Sequence, residues 1–259
     1  MLRRHFLAAL ASPNLAAALP VGAVDVDLLL VLAVDTSSSI SPDEAEMQRK
    51  GYCRGLTNWE VLAAIADGFH GAVGVAYVEW SGVPYQRLAL PWTRITSASD
   101  AAAWSAALNG QPRSYGGGGT SIAGSIDFSR RVFAQAPWQA PRWVIDISGD
   151  GANNGSLPVQ DARDQAVTEG ITTNGLAIED NGREHADLFE MGGDLLFGQA
   201  EPIAHYYRKT VIGGPGEFVV EARDFWDFGD AVRRKLVREI AGTQGHAPSA
   251  EGQPQFRLS

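Results

Sequence analysis

The sequence is poor in cysteine, in basic residues and in long apolar runs, and each shortage excludes a class of protein. A single cysteine, Cys53, rules out a disulfide bond within the chain. The 21 lysines and arginines are outnumbered by 30 aspartates and glutamates, and a formal net charge of −9 argues against a nucleic-acid-binding surface. No segment beyond the N-terminus is apolar for long enough to span a bilayer. A cation, or a partner with basic patches, suits this charge balance better than nucleic acid or membrane.

The two ends of the chain differ in composition from its middle. Residues 1–23 have a basic start, an apolar middle and a small-residue exit, which is typical of an export signal. The pair Arg3-Arg4 before Phe6-Leu7 resembles the twin-arginine type. Residues 242–259 are rich in Gly, Pro and Gln and predict a disordered tail. We therefore expect an exported bacterial protein, periplasmic or secreted, whose single domain spans residues 25–240.

Strand and helix patterns alternate through residues 25–240, without a repeat or a linker. Leu28–Val34 is a continuous apolar run, as expected of a central parallel strand covered on both faces. Ser41 and Glu44, three residues apart around Pro42, predict a capped helix start. Further strands are predicted at 72–82, 85–92, 142–148, 171–178 and 217–221, and helices at 41–67 with a break near 57–58, 99–109, 120–133, 159–168 and 225–240. The alternation predicts one doubly wound α/β domain, Rossmann-like, with a mostly parallel sheet and helices on both faces.

Oxygen-bearing side chains follow the predicted strands at one edge of this sheet. Asp35 ends the first strand, with Ser37 and Ser39 on the turn that follows it. Thr120 follows a glycine run, and Asp150 follows the strand at 142–148. Ligands bind at the carboxyl ends of the strands in such sheets, so we expect these residues to converge at the rim rather than within the core. Two carboxylates and three hydroxyls form an oxygen site suited to Mg²⁺, with Mn²⁺ or Ca²⁺ as alternatives.

Three stretches together resemble the metal-ion-dependent adhesion site of von Willebrand factor type A domains. They are Asp35-Thr36-Ser37-Ser38-Ser39, Thr120 after Gly116–Gly119, and Ser148-Gly149-Asp150-Gly151. The third stretch departs from the family pattern, because Gly149 stands where a threonine is usual, and Ser148 is not predicted to be a ligand. Residues 25–240, and most of all 206–236, further resemble a bacterial family of exported, uncharacterised proteins that carry an A-like domain.

The resemblance implies a non-enzymatic domain that binds a protein partner through a divalent metal. Asp35, Ser37, Ser39, Thr120 and Asp150 are the implied metal ligands, and no catalytic residue is implied. The partner would supply an acidic side chain to the ion. A scaffold whose site no longer holds metal is a further alternative, and the sequence does not indicate an oligomeric state.

Enzymes of three classes share parts of the pattern. Haloacid-dehalogenase-like phosphohydrolases also place an aspartate after the first strand and have a later motif similar to residues 149–154. That alternative lacks its general acid, because Ser37 stands where a second aspartate is needed, and Asn154 replaces the last aspartate of the later motif. An aspartic protease needs a second Asp-Thr-Ser or Asp-Thr-Gly, and a serine hydrolase needs a Gly-x-Ser-x-Gly elbow. Neither occurs here.

The other polar and aromatic residues are assigned structural roles. Tyr206, Tyr207 and Trp226 are expected in or near the core, and His205 at the surface. Asn153-Asn154 is predicted to form a turn after Asp150.

Overall fold

The computed structural model describes residues 25–112, 118–155, 157–179 and 201–242. The predictions for the export signal, for the tail beyond Gly242 and for Gly116–Gly117 concern residues outside these ranges.

The described residues contain a six-stranded sheet in the order β3-β2-β1-β4-β5-β6. Its strands are β1 (Leu28–Asp35), β2 (Val73–Trp80), β3 (Gln86–Ile95), β4 (Trp143–Gly149), β5 (Ile171–Ile178) and β6 (Val219–Ala222). All neighbours pair in parallel except β2 and β3, which are antiparallel. The predicted doubly wound, mostly parallel sheet is confirmed.

Helices cover both faces of the sheet. They are α1 (Pro42–Leu56), α2 (Trp59–Ala66), α3 (Ala98–Asn109), α4 (Ile122–Phe133), α5 (Val159–Thr168), α6 (Ile203–Tyr206) and α7 (Phe228–Ala241), with a π-helical turn (Tyr207–Val211) after α6. The predicted capping box is present: the Ser41 hydroxyl accepts from the Glu44 amide at 3.3 Å, and the Ser41 amide donates to the Glu44 carboxylate at 2.7 Å. Among the described residues, no helix combines the length and apolarity needed to cross a membrane.

The central strand divides the core into two layers. Every residue of β1 is buried, because β1 has a parallel neighbour on each side and helices above and below. Leu28, Leu30 and Leu32 pack toward the layer formed by α1, α2, α3 and α7. The alternate positions pack toward α4, α5 and α6. This alternation at period two is what a strand buried on both faces requires.

One sequence-based prediction of burial was wrong. Trp226 was expected near the core, but it is 85% exposed on the segment that precedes α7. The sequence pattern indicated no regular element at residues 203–211, where the structure has α6 and the π-helical turn. Both elements are short, so neither produces a recognisable apolar period.

Helices α1 and α7 approach each other closely, because α1 presents glycines to its neighbour. A Cβ atom on Gly51 would lie 2.7 Å from Cδ1 of Phe228, and one on Gly55 would lie 2.7 Å from Cγ1 of Val232. Such distances are shorter than van der Waals contact, so glycine is required at both positions for this spacing.

Gly55→Ala is expected to lower the free energy of unfolding by about 1–3 kcal/mol, because the added methyl group overpacks the contact between α1 and α7. Gly229→Ala is the matched control on α7, since its nearest contact is the Gly51 Cα atom at 4.0 Å. That variant should be neutral or stabilising, because alanine favours helix more than glycine does. Urea unfolding of both variants measures the effect, and equal stability of the two would contradict the packing argument.

A buried ionic cluster joins α7 to the face of β4 that this helix covers. Lys235 is 0% exposed, and its Nζ lies 2.6 Å from Oδ1 of Asp146 and also contacts the Glu239 carboxylate. Asn174 donates to Glu239 at 3.3 Å. Burial, reinforced by the negative charge of Glu239, raises the pKa of Asp146 to about 7 despite the attraction of Lys235. The cluster holds α7 against the sheet, but it buries two carboxylates, those of Asp146 and Glu239, beside one lysine.

Asp146→Asn is expected to gain stability relative to the wild type as the pH rises. The folded pKa of Asp146 exceeds the ordinary 3.8, so the stability that its bound proton provides is lost between pH 3.8 and about 7. Asparagine stays neutral, and the difference should grow by roughly 1 kcal/mol per pH unit in that window. Urea unfolding from pH 5 to pH 8 measures it, with Asp164→Asn on the exposed face of α5 as the control. A pH-independent difference would show that Asp146 is charged throughout.

Candidate metal centre

Three loops meet where the carboxyl ends of β1 and β4 lie side by side. These strands are neighbours in the sheet, and the strand order reverses between them. The chain leaves β1 toward α1 on one face, whereas Thr120 and α4 approach on the other. Such a switch point opens a crevice above the strand ends, and the structure brings the predicted site residues to this crevice.

Asp35 is the last residue of β1, and its side chain is completely buried. The expectation of a carboxylate at the rim and outside the core is therefore wrong in one respect: the position is at the rim, but the group has no contact with solvent. Oδ1 accepts from the Ser37 amide at 2.7 Å. Oδ2 is buried without a hydrogen-bond partner. An orphaned carboxylate oxygen is costly unless a cation, a donor or a proton satisfies it.

The two predicted serines connect Asp35 with Asp150. Ser37 is buried, and its hydroxyl lies 3.1 Å from that of Ser39. The Ser39 hydroxyl donates to Oδ1 of Asp150 at 3.0 Å. These hydrogen bonds bring the end of the β1 loop against the start of the loop after β4, a separation of 111 residues in sequence. Four of the five predicted ligands thus form one contiguous polar cluster.

Thr120, the fifth predicted ligand, is fixed through its backbone to the loop that follows Asp150. Its amide donates to the Asn154 side chain at 2.7 Å, and its carbonyl accepts from the Asn154 amide at 2.9 Å. The carbonyl also accepts from the Gly155 amide at 3.2 Å. A Cβ on Gly151 would lie 4.0 Å from the Thr120 hydroxyl, which places this hydroxyl beside the residue after Asp150. The three loops therefore have a fixed relative position.

The electrostatics of the site favour a bound cation or a bound proton. Burial raises the pKa of Asp35 well above its ordinary value, and the negative charge of Asp150 raises it further, although the Ser37 hydrogen bond opposes both. Within the described ranges, no group of three or more His, Cys, Asp and Glu side chains could hold a metal ion. The donors that do converge are carboxylate and hydroxyl oxygens. This set fits a hard divalent cation such as Mg²⁺ and does not fit a soft one.

Two features near the site were not predicted from the sequence. Asn154 was expected only to form a turn, but its side chain also fixes Thr120. Tyr207 was expected in the core, and it is fully buried. Its hydroxyl nevertheless reaches the site: a Cβ atom built on Gly149 would lie 2.8 Å from this hydroxyl and 3.0 Å from Oδ2 of Asp35. Ser148 is buried within β4, and its side chain lies on the opposite face of the strand from that of Ile147.

A family profile described as "Protein of unknown function (DUF1194)" matches residues 25–244. The chain belongs to this family. The match includes all five predicted ligands and the strands β1 and β4. No curated protein matches the chain.

Solved structures similar to this chain contain von Willebrand factor type A domains. Proximal thread matrix protein 1 from the mussel byssus has a TM-score of 0.57 at 17% identity over 85% of this chain, and a further structure of it has a zinc-occupied metal-ion-dependent adhesion site. A von Willebrand factor type A protein from Catenulispora acidiphila has a TM-score of 0.52 at 15% identity over 83% of this chain. The corresponding domain of the type V pili tip protein Mfa5 from Porphyromonas gingivalis has a TM-score of 0.52 at 10% identity over 88%.

These similarities establish the fold as von Willebrand factor A-like. This chain covers 49% of the mussel protein, 43% of the Catenulispora chain and 99% of the Mfa5 domain. It therefore spans about half the length of the mussel and Catenulispora chains and nearly all of the Mfa5 domain. The resemblance in fold that the sequence motifs implied is confirmed.

Any divalent cation that binds at Asp35 is expected to bind more weakly as the pH falls. The pKa of Asp35 is raised, so the metal-free folded protein retains a proton above the ordinary 3.8, and a cation must displace it. Up to the raised pKa, affinity should rise by about tenfold per pH unit, with release of a proton. Calorimetric titrations at pH 5 and pH 8, in buffers of different ionisation enthalpy, measure both quantities. Equal affinity at the two pH values without proton release would contradict competition at Asp35.

Proposed function

We propose that this domain binds a protein partner through a divalent cation, Mg²⁺ in the first instance, and that it is not an enzyme. The observation that carries the proposal is the convergence of three loops on one oxygen-rich crevice around the buried Asp35. The proposed ligands are Asp35, Ser37, Ser39, Thr120 and Asp150. The proposal extends the family resemblance, because the fold alone does not specify a ligand.

The donor set supports recognition of an acidic group. Two carboxylates and three hydroxyls leave a divalent cation with incomplete protein coordination, since Mg²⁺ and similar ions take six or more oxygens. When bound, the cation would supply an open position for a carboxylate of the partner. Asp35 and Asp150 would balance the charge of the ion, and the hydroxyls of Ser37, Ser39 and Thr120 would add neutral ligands.

The site offers little support for hydrolysis. In the described residues, Asp35 and Asp150 are the carboxylates of the cluster, and both would be engaged with the cation. Position 37 holds a serine that bonds to Ser39 and cannot act as a carboxylic acid toward a leaving group. A phosphohydrolase would therefore lack its proton donor.

Some similar proteins act outside the cell, and this supports an exported location for the proposed binding domain. Mfa5 is a pilus tip protein, and the mussel protein is a thread matrix protein with zinc in its adhesion site. These properties belong to those proteins. For this chain we propose export to the periplasm or beyond, with residues 1–23 as the signal, and residues 25–240 as the binding domain.

Metal binding is the first test. Calorimetric titration of the wild type with Mg²⁺ and Mn²⁺ should show one saturable site, and Asp35→Asn and Asp150→Asn should each abolish it while the fold is retained. Asp164→Asn is the matched control, because it removes an exposed carboxylate from α5, away from the cluster. Undiminished binding in Asp35→Asn would show that the cation binds elsewhere, and hydrolysis of a generic phosphate ester by the metal-loaded protein would favour the phosphohydrolase instead.

Partner chemistry is the second test. A random peptide library selected on the Mg²⁺-loaded wild type should yield sequences with a shared Asp or Glu, and their binding should be lost in EDTA and in Asp35→Asn. Replacement of the shared acidic residue by its amide should have the same effect. Peptides that bind equally well in EDTA would contradict recognition through the cation.

A further inference from the structure

Tyr207 is a buried tyrosine whose hydroxyl lies at the metal site. It is the first residue of the π-helical turn that follows α6, and the Ile212 amide donates to its carbonyl at 3.1 Å across five residues. Turns of this kind are rare and occur often at functional sites. The Tyr207 side chain is 0% exposed, and it packs with the core layer on the α4–α5 face of the sheet.

Two strand glycines provide the space that this side chain occupies. A Cβ on Gly175 of β5 would lie 2.6 Å from Cδ1 of Tyr207, and a Cβ on Gly149 of β4 would lie 2.8 Å from its hydroxyl oxygen. Any larger residue at either position would collide with the tyrosine. The ring therefore lies over β5 and β4 and carries its hydroxyl to the end of β4, next to Asp35.

The Tyr207 hydroxyl and Oδ2 of Asp35 are both buried without a hydrogen-bond partner. Both lie close to one point, the position that a Cβ atom on Gly149 would occupy. The Tyr207 hydroxyl is 2.8 Å from that point, and Oδ2 of Asp35 is 3.0 Å from it. A buried tyrosine hydroxyl normally has a hydrogen-bond partner, because a buried polar group without one destabilises the fold. One water molecule, or a small side-chain rotation, would connect the two groups.

The neighbouring tyrosine contacts the second acidic loop. The hydroxyl of Tyr206 accepts from the Asn153 amide at 3.3 Å, three residues after Asp150. The two adjacent tyrosines thus contact different parts of the site. Tyr207 reaches the end of β1, and Tyr206 reaches the loop after β4.

We infer that Tyr207 is a positioning residue of the metal site, whose hydroxyl donates a hydrogen bond to Oδ2 of Asp35, directly or through one water molecule. This bond stabilises the ionised carboxylate and fixes its orientation toward the cation. Metal ligands are commonly oriented by such outer hydrogen bonds, and their loss weakens metal binding by about 10–100-fold. The inference rests on the proposed function, because it assigns Tyr207 to the same cation.

Tyr207→Phe tests the inference, with Tyr52→Phe as the matched control. Tyr52 is equally buried, but it packs on the opposite face of the sheet. Calorimetry with Mn²⁺ should show dissociation constants about 10–100-fold higher for Tyr207→Phe and unchanged for Tyr52→Phe. The zero-field splitting of saturating Mn²⁺, measured by electron paramagnetic resonance, should change only in Tyr207→Phe.

Gly175→Ala is a second variant that keeps the hydroxyl and displaces the ring, at a position remote from the ligands. It should also weaken Mn²⁺ binding, and metal-free unfolding measurements establish that each variant is folded. Wild-type affinity in Tyr207→Phe, or equal losses in Tyr207→Phe and Tyr52→Phe, would overturn the inference and leave the proposed function intact. Absence of Mn²⁺ binding in the wild type would overturn both.

Discussion

The burial of a carboxylate at the end of the central strand is the constraint on which the site depends. Asp35 is enclosed because β1 has a parallel neighbour on each side and helical layers on both faces. A charge in that position requires compensation. Among the described residues, the groups that shift the pKa of Asp35 are Asp150 and Ser37, and neither is cationic. The Ser37 amide satisfies one oxygen, and the other faces Gly149 and Tyr207. The divalent cation that we propose would supply this compensation.

Much of this arrangement follows from local sequence patterns. The apolar run before Asp35 specifies a strand buried on both faces, and the capping box at Ser41 fixes where α1 begins. Helix α5 and strand β5 have the predicted bounds, because each has a clear period and a glycine between them. The five predicted ligands could be named from the motif resemblance, and their common location could be predicted because each lies in or beside a loop that follows a strand or precedes a helix. In a parallel sheet, that position determines a common edge.

The contacts that the sequence did not predict are made between distant segments. Nothing local indicates that Gly149 and Gly175 leave space for Tyr207, because the three residues meet only after β4 and β5 have paired. The role of Asn154 likewise depends on a bond to Thr120 across 34 residues. Complete burial of Asp35 reflects the packing of several elements and has no local signal. Trp226 was misplaced for the opposite reason, since its apolar character indicates a core position that the fold does not provide.

The pairing of β1 has a mechanical consequence for a domain whose bound partner would exert tension on the edge of the sheet that carries the site. The strand is hydrogen-bonded along Leu28–Asp35 to β2 and along Leu29–Val34 to β4, in parallel on both sides. Tension applied at Asp35 along the strand axis would act on both ladders in shear, so their bonds would have to break together rather than one after another. The crevice is therefore attached to a strand whose pairing on both sides resists extraction along its axis.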